Sequence, residues 1–180
     1  MIILDEKSVE KKMPVWTSIL DNNVEINNYL KNVILEHREN DPEWHKSNVK
    51  AWHSSFETHT DNPKFTPLID IVLGACNFIS SQYYNCEQKY FCFNMWAMMY
   101  EESEYAIPHN HFPSDFACVY YVDVEPDCAP IIFEDTLKIQ PKNGMLVLFP
   151  ALIQHEVPAT KGRRMVISMN IEKISVKQDV

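Results

Sequence analysis

The sequence predicts a mainly β domain, two antiparallel sheets packed as a sandwich or jelly roll, with helices gathered at its N-terminal end as a buttress. Three observations carry that expectation. Apolar residues at helical spacing are confined to the first half of the chain. From Tyr90 onward the texture changes to short aromatic and β-branched runs. Those runs are separated by turn chemistry: Glu125-Pro126-Asp127, Pro141-Lys142-Asn143-Gly144 and Thr160-Lys161-Gly162. With 180 residues the chain suits one domain, 1–180, in which 1–89 form an arm and supporting helices and 90–176 the β core.

Ile2-Ile3-Leu4 and Val15-Trp16-Thr17-Ser18-Ile19 read as short strand or arm on either side of Pro14. Asn22 with Glu25 three places on reads as a capping box, and Ile26, Leu30, Val33, Ile34 and His37 continue at helical spacing, so a helix is predicted over 23–38, stopped by Asp41-Pro42. Trp44 to Ser55 shows no period and reads as loop with a short strand. His45, His53 and His59, in and near it, have no partner at ligand spacing and are expected on the surface or anchoring loops. Thr66-Pro67 opens a second helix, hydroxyl cap then proline in the first turn, continued by Leu68, Ile71, Val72, Ala75 and Ile79. Ile69, Leu73 and Cys76 give it a second apolar side, as a helix covering a sheet requires. Strands are predicted over 90–100, with Asn94, Trp96, Met98 and Tyr100 on one face, and over 116–124, 130–134, 145–149 and 165–176.

Composition excludes several functions. Hydrophobic residues make up 46% of the chain, in runs too short to span a bilayer, and the first seven residues carry neither a basic leader nor a long apolar centre. Cytoplasmic residence is the expectation. Five cysteines, odd in number and without a C-x-x-C pair, argue against a disulfide framework and a zinc knuckle. Sixteen basic against twenty-five acidic side chains give a net charge of -9, and the basic ones are scattered, which argues against nucleic acid as a general partner. Three glycines allow neither a phosphate-cradling loop nor a dinucleotide fingerprint. No serine or cysteine has the setting of an activated nucleophile.

What remains is Pro108-His109-Asn110-His111-Phe112-Pro113. On an extended backbone, side chains two apart share a face, so His109 and His111 present their imidazoles side by side at metal-ligand spacing. His155 follows the apolar run from Leu146 to Gln154, and in a jelly roll, strands distant in sequence become neighbours, so the three can meet. Nitrogen donors on one side of a metal, with open positions opposite, suit redox iron better than closed structural zinc. Arg164 stands at the head of the last strand, on one face with Val166, Ser168 and Asn170. A guanidinium inside a barrel needs an anion, since its charge cannot be removed at any working pH. The anion is either one carboxylate of a bound diacid or a structural partner, Glu134 or Asp135; a rim position is the other alternative.

With these segments the chain resembles the Fe(II)- and 2-oxoglutarate-dependent oxygenases, in particular small oxygenases with an H-x-H-P-like motif. The matching residues are 108–113, Val119-Tyr120-Tyr121-Val122, Gly144 to Pro150, His155-Glu156-Val157-Pro158 and Arg164 to Asn170, within a region of roughly 90–172. The resemblance implies a double-stranded β-helix (jelly roll), iron held by His109, His111 and His155, and 2-oxoglutarate and O2 as cosubstrates. Arg164 would take the distal carboxylate, assisted by Tyr121 and Ser168. The outcome is hydroxylation of an unidentified substrate, whose pocket Asn94, Trp96, Tyr100 and Asn170 would line.

Two departures from the family's pattern stand out. The second member of the H-x-D or H-x-E pair is His111, with Asp115 as the substitute ligand should His111 turn away. The usual hydroxyl two after the arginine is Val166, and Ser168 stands four after it. The alternatives are a three-histidine cupin-like metalloenzyme without 2-oxoglutarate and a non-catalytic jelly-roll binding module.

Overall fold

A computed structural model describes residues 12–42 and 48–174. The predicted Ile2-Ile3-Leu4 strand, His45 and the tail beyond 174 lie outside the described residues. In chain order the elements are β1 (Trp16–Ile19), α1 (Asn23–Asn40), β2 (Val49–Lys50), β3 (Trp52–His53), α2 (Thr58–Asp61), a 3-10 turn (Pro63–Phe65), α3 (Thr66–Tyr84), β4 (Tyr90–Tyr100), β5 (Tyr105–His109) and β6 (Phe116–Val124). They continue with β7 (Ile131–Phe133), β8 (Leu137–Ile139), β9 (Met145–Pro150), β10 (His155–Val157) and β11 (Arg164–Lys173). A six-stranded sheet has the order β1-β9-β6-β11-β4-β3 and a five-stranded sheet the order β2-β5-β10-β7-β8; all the pairings between these strands are antiparallel. Both sheets recruit strands from before residue 90. Among the described residues no helix is long and apolar enough to cross a membrane.

The two faces of the larger sheet make two cores. On β11, Met165, Ile167, Met169 and Ile171 join Cys118, Tyr120, Leu146 and Leu148 beneath α1 and α3, whose Leu30, Ile34, Leu68, Val72 and Cys76 close that side. The alternate residues face the second sheet, where Trp96, Tyr100, Val119, Tyr121, Val147, Phe149 and Val166 meet Ile131, Phe133 and Val157. This two-residue alternation is what a strand buried on both faces requires. Two register shifts modify it, one against β6 between Met165 and Val166 and one against β4 between Asn170 and Ile171. Ile171 pairs with Cys92 and Asn170 with Asn94, leaving Phe93 as the extra residue. Cys92 and Met95 therefore both pack toward the helices, while Phe93 and Asn94 both border the space between the sheets.

Local signals hold with corrections. Helix α1 runs slightly beyond its predicted end, but Asn22 makes no side-chain cap bond, so the expected capping box is absent; the Asn23 carboxamide donates instead to Leu20 O at 2.7 Å. Thr66 is already helical and is not the cap of α3, because the 3-10 turn feeds straight into it; Asn62 caps that turn by accepting from Lys64 N. The helix ends on Asn85 in the left-handed conformation (φ 48°). Strands β5, β8 and β10, each three to five residues long, escaped the sequence reading.

Gly144 has φ +77°, and a Cβ there would collide with Asn23 at the start of α1. Gly144→Ala is expected to destabilise the protein by about 1–3 kcal/mol, read as a lower urea midpoint with unchanged slope. An unchanged midpoint would contradict this packing.

Candidate metal centre and anion pocket

The open end of the space between the sheets holds the three histidines. His109 closes β5, His155 opens the neighbouring β10, and the two are direct cross-strand partners. The strand does not continue to His111, so the two imidazoles do not share one strand face. The strand breaks after His109, and His111 N donates to Ala151 O at 2.8 Å, which turns the third ring in by another route. One coordinating nitrogen from each ring lies within 4.8 Å of the others, and His111 Nε2 is 3.3 Å from His155 Nε2.

The ring tautomers follow from their partners. His109 Nδ1 meets Ile107 O at 2.7 Å and His155 Nδ1 meets Ile153 O at 3.2 Å. A carbonyl only accepts, so both Nδ1 atoms carry the proton and both Nε2 lone pairs point away from the backbone, the orientation a metal-binding histidine takes. Two nitrogens about 2.1 Å from one shared ion lie about 3.0–3.4 Å apart, the spacing of His111 and His155. Phe133, Phe149 and Trp96 wall the rings, with the Phe149 centroid 4.8 Å from that of His155 and the Trp96 centroid 5.8 Å from that of His111.

Burial keeps these imidazoles neutral. It lowers His109 from its ordinary value, takes His111 to about 3 with further help from the neighbouring His109, and drops His155 well below the usual range, with His109 and His111 adding to the effect. The Asn170 carboxamide is close enough to His111 to oppose its shift, yet Asn170 Oδ1 makes no hydrogen bond of acceptable geometry. Neutral imidazole is the form that binds a metal.

Arg164 lies in the same cavity, 1% exposed. Its Nη1 donates to Ala129 O at 2.9 Å and its Nη2 to Tyr121 Oη at 3.4 Å, while Nε is buried without a partner. The rings of Tyr100 and Tyr121 flank the guanidinium at 5.1 and 5.2 Å. Among the described residues no carboxylate pairs with it: Glu134 accepts from Gln154 N instead, and neither the Glu134 or Asp135 partner nor the rim position survives. Burial raises both phenols, Tyr100 to about 12, against the opposing pull of Arg164, so both stay protonated and Tyr121 remains a donor.

The cavity joining these groups measures about 340 Å³, and its wall includes Asn94, Trp96, Tyr100, Ser168 and Asn170. Asp115, the substitute ligand, is elsewhere: its carboxylate accepts from Lys173 N at 2.8 Å and lines a separate pocket near Tyr90. His53 is a correction too. The surface alternative fails, since the ring is buried in the cavity wall, its Nδ1 against Ser54 O and its face stacked on Trp96 with centroids 5.7 Å apart and planes within 8°. Phe56, Phe93 and Phe112 also line the cavity and carried no sequence signal beyond their aromatic character.

Two expectations follow from this electrostatic arrangement. Unfolded histidines take up protons near 6.5, whereas the buried ones refuse them, His111 down to about 3. The unfolded state therefore binds more protons below 6.5, and the metal-free protein loses stability as pH falls through that window. Urea unfolding at about pH 7.5 and about pH 5 measures it, and equal stabilities would contradict the neutral cluster. An unpaired buried guanidinium also opposes folding, so Arg164→Met is expected to stabilise the ligand-free protein by about 1–4 kcal/mol. A loss of stability would mean that Arg164 is structural.

The chain matches no protein-family profile and no curated protein sequence. Solved structures do resemble it. A Pseudomonas putida prolyl-4-hydroxylase superposes with a TM-score of 0.68 at 10% identity, covering 89% of this chain and 93% of its own. The viral collagen prolyl hydroxylase vCPH from Paramecium Bursaria Chlorella virus-1, in its 2-oxoglutarate complex, gives 0.63 at 15% identity over 87% and 94%. HygX from Streptomyces hygroscopicus, with nickel and 2-oxoglutarate bound, gives 0.63 at 8% identity over 89% and 82%. The chain thus has the double-stranded β-helix fold of these proteins.

Proposed function

We propose that the protein is a non-haem Fe(II)- and 2-oxoglutarate-dependent oxygenase of the hydroxylase type. The observation that carries this reading is the meeting, in one cavity, of three imidazole nitrogens within 4.8 Å of one another and a buried guanidinium that pairs with no carboxylate among the described residues. Each half fits one component. His109, His111 and His155 supply neutral nitrogen donors for a divalent ion. Arg164 supplies a permanent charge whose unpaired Nε and fork geometry suit a carboxylate, with the protonated Tyr121 phenol as an added donor. Ser168 contributes a hydroxyl to the same wall.

Iron with 2-oxoglutarate and O2 would couple decarboxylation of the diacid to succinate and carbon dioxide with insertion of one oxygen atom into a substrate C–H bond. The protein's share is positional. Backbone carbonyls of Ile107 and Ile153 fix two ring tautomers, Phe149 packs edge-on against His155, and Arg164 orients the diacid from its far end. The five cysteines remain unpaired thiols, which supports a reducing, cytoplasmic setting.

One observation favours a second reading. All three donors are imidazoles and Asp115 is engaged elsewhere, so the set also suits a three-histidine metalloenzyme that uses no 2-oxoglutarate. Anaerobic titration separates the two. Fe(II) followed by 2-oxoglutarate is expected to give a visible metal-to-ligand charge-transfer band; iron binding with no band and no succinate in air selects the second reading. His155→Ala is expected to abolish stoichiometric iron binding. Arg164→Ala is expected to raise the 2-oxoglutarate requirement by about tens to thousands of fold with far less effect on iron, as befits loss of a desolvated charged partner.

A further inference from the structure

The cavity has a polar feature that neither iron nor 2-oxoglutarate uses. Asn94 and Asn170 are cross-strand partners on β4 and β11, both line the cavity, and Oδ1 of each is buried without a hydrogen bond of acceptable geometry, Asn170 lying close to His111. A buried polar atom left unpaired is costly, so two on adjacent strands at one spot mark a place that a ligand completes. Turning either carboxamide about its last bond exchanges its oxygen for its NH2, so the pair can present acceptor and donor together. Arg164 and Asn170 are six residues apart on β11, about 20 Å of strand, so a molecule gripped at Arg164 leaves the asparagines to another.

The walls define what that other molecule is. Among the described lining residues Arg164 is the one formally charged side chain. No carboxylate is there to hold a cation, and the two positive charges an anion could meet, Arg164 and the ion at the three imidazoles, are those the diacid engages. The asparagine end is neutral, bounded by Trp96 and by two rings at the rim, Phe93 (50% exposed) and Phe112 (70% exposed). At about 340 Å³ the cavity lies near the lower limit for ligand pockets, so beside a diacid it admits one group of a second molecule. The remainder must lie across the rim.

We infer that Asn94 and Asn170 form the substrate subsite and that it takes an uncharged amide, a carboxamide or a peptide link, whose apolar body rests on Phe93 and Phe112. An amide offers N–H and C=O in one plane, matching the two carboxamides, and carries no charge for the walls to meet. The inference rests on the oxygenase reading and adds its substrate class.

The test uses full-length protein loaded with Ni(II) and 2-oxoglutarate, the binding of each being measured first. It is then titrated calorimetrically with three probes of one shape: N-acetylphenylalaninamide, which is neutral, N-acetylphenylalanine, which is anionic, and phenylalaninamide, which is cationic. The neutral probe is expected to bind about 10-fold tighter than either other, and Asn94→Leu to remove most of that preference while nickel and 2-oxoglutarate affinities hold. A capped tripeptide with central phenylalanine that binds tighter still, and loses the gain in Phe112→Ala, assigns the amide to a peptide; no gain assigns it to a small molecule. Preference for a charged probe, equal affinities, or no binding by any probe at millimolar concentration overturns the inference. Failure of nickel or 2-oxoglutarate to bind defeats the oxygenase reading first.

Discussion

The structure depends on β11 being held between β4 and β6 with both of its faces buried. A strand in that position has no freedom of register: a slip by one residue would exchange Met165, Ile167, Met169 and Ile171 for Arg164, Val166, Ser168 and Asn170. The first set buries four large apolar side chains under the helices, each contributing roughly 1.5–3 kcal/mol. The slipped arrangement would forfeit that and press a guanidinium against Leu68, Val72 and their neighbours. The apolar face therefore fixes the placement of the polar one, and the position of Arg164 follows from residues that never touch it.

That division explains how the chain sustains a site that works against folding. Three imidazoles are crowded together, one buried and two half-buried, and a cation is buried with two hydrogen bonds and, among the described residues, no counter-charge. None of these groups is satisfied by the protein alone. The core beneath α1 and α3 offsets their cost, and the site keeps unmet capacity for a cation at one end and an anion at the other. The neutral third donor matters here. An aspartate in place of His111 would counter part of a metal's charge, whereas three imidazoles leave it whole and strengthen the pull on an anion near by.

Much of this was legible in the sequence where a long period or a short spacing carried it. The alternation on β4 and β11 identified their inner faces, and His109, His111, His155 and Arg164 do share one cavity. Three of the short strands were not legible: β5, β8 and β10 are specified by the neighbours they pair with rather than by their own composition. His53 looked polar and loop-bound because stacking on Trp96 is a tertiary contact between residues 43 positions apart. The caps failed for a similar reason. Asn22 and Thr66 have the side chains for capping, but the packing of the Leu20 turn and of the 3-10 turn before α3 satisfies the helix ends differently.

The bulge at Phe93 shows why the fold leaves the substrate open. A strict two-residue period would send Phe93 to the helices or Asn94 away from the cavity; the extra residue sends both to the mouth, and no composition signal announces it. Arg164 sits deep, at the start of the stretch over which β11 pairs with β4 without interruption, from Tyr100 to Asn94, while on the β6 side the register shifts one residue on, between Met165 and Val166. The mouth is instead built from a bulge, a broken strand after His109 and the rings of Phe93 and Phe112. Regular pairing resists change because a slip inverts every side chain, while bulges and strand ends change one residue at a time.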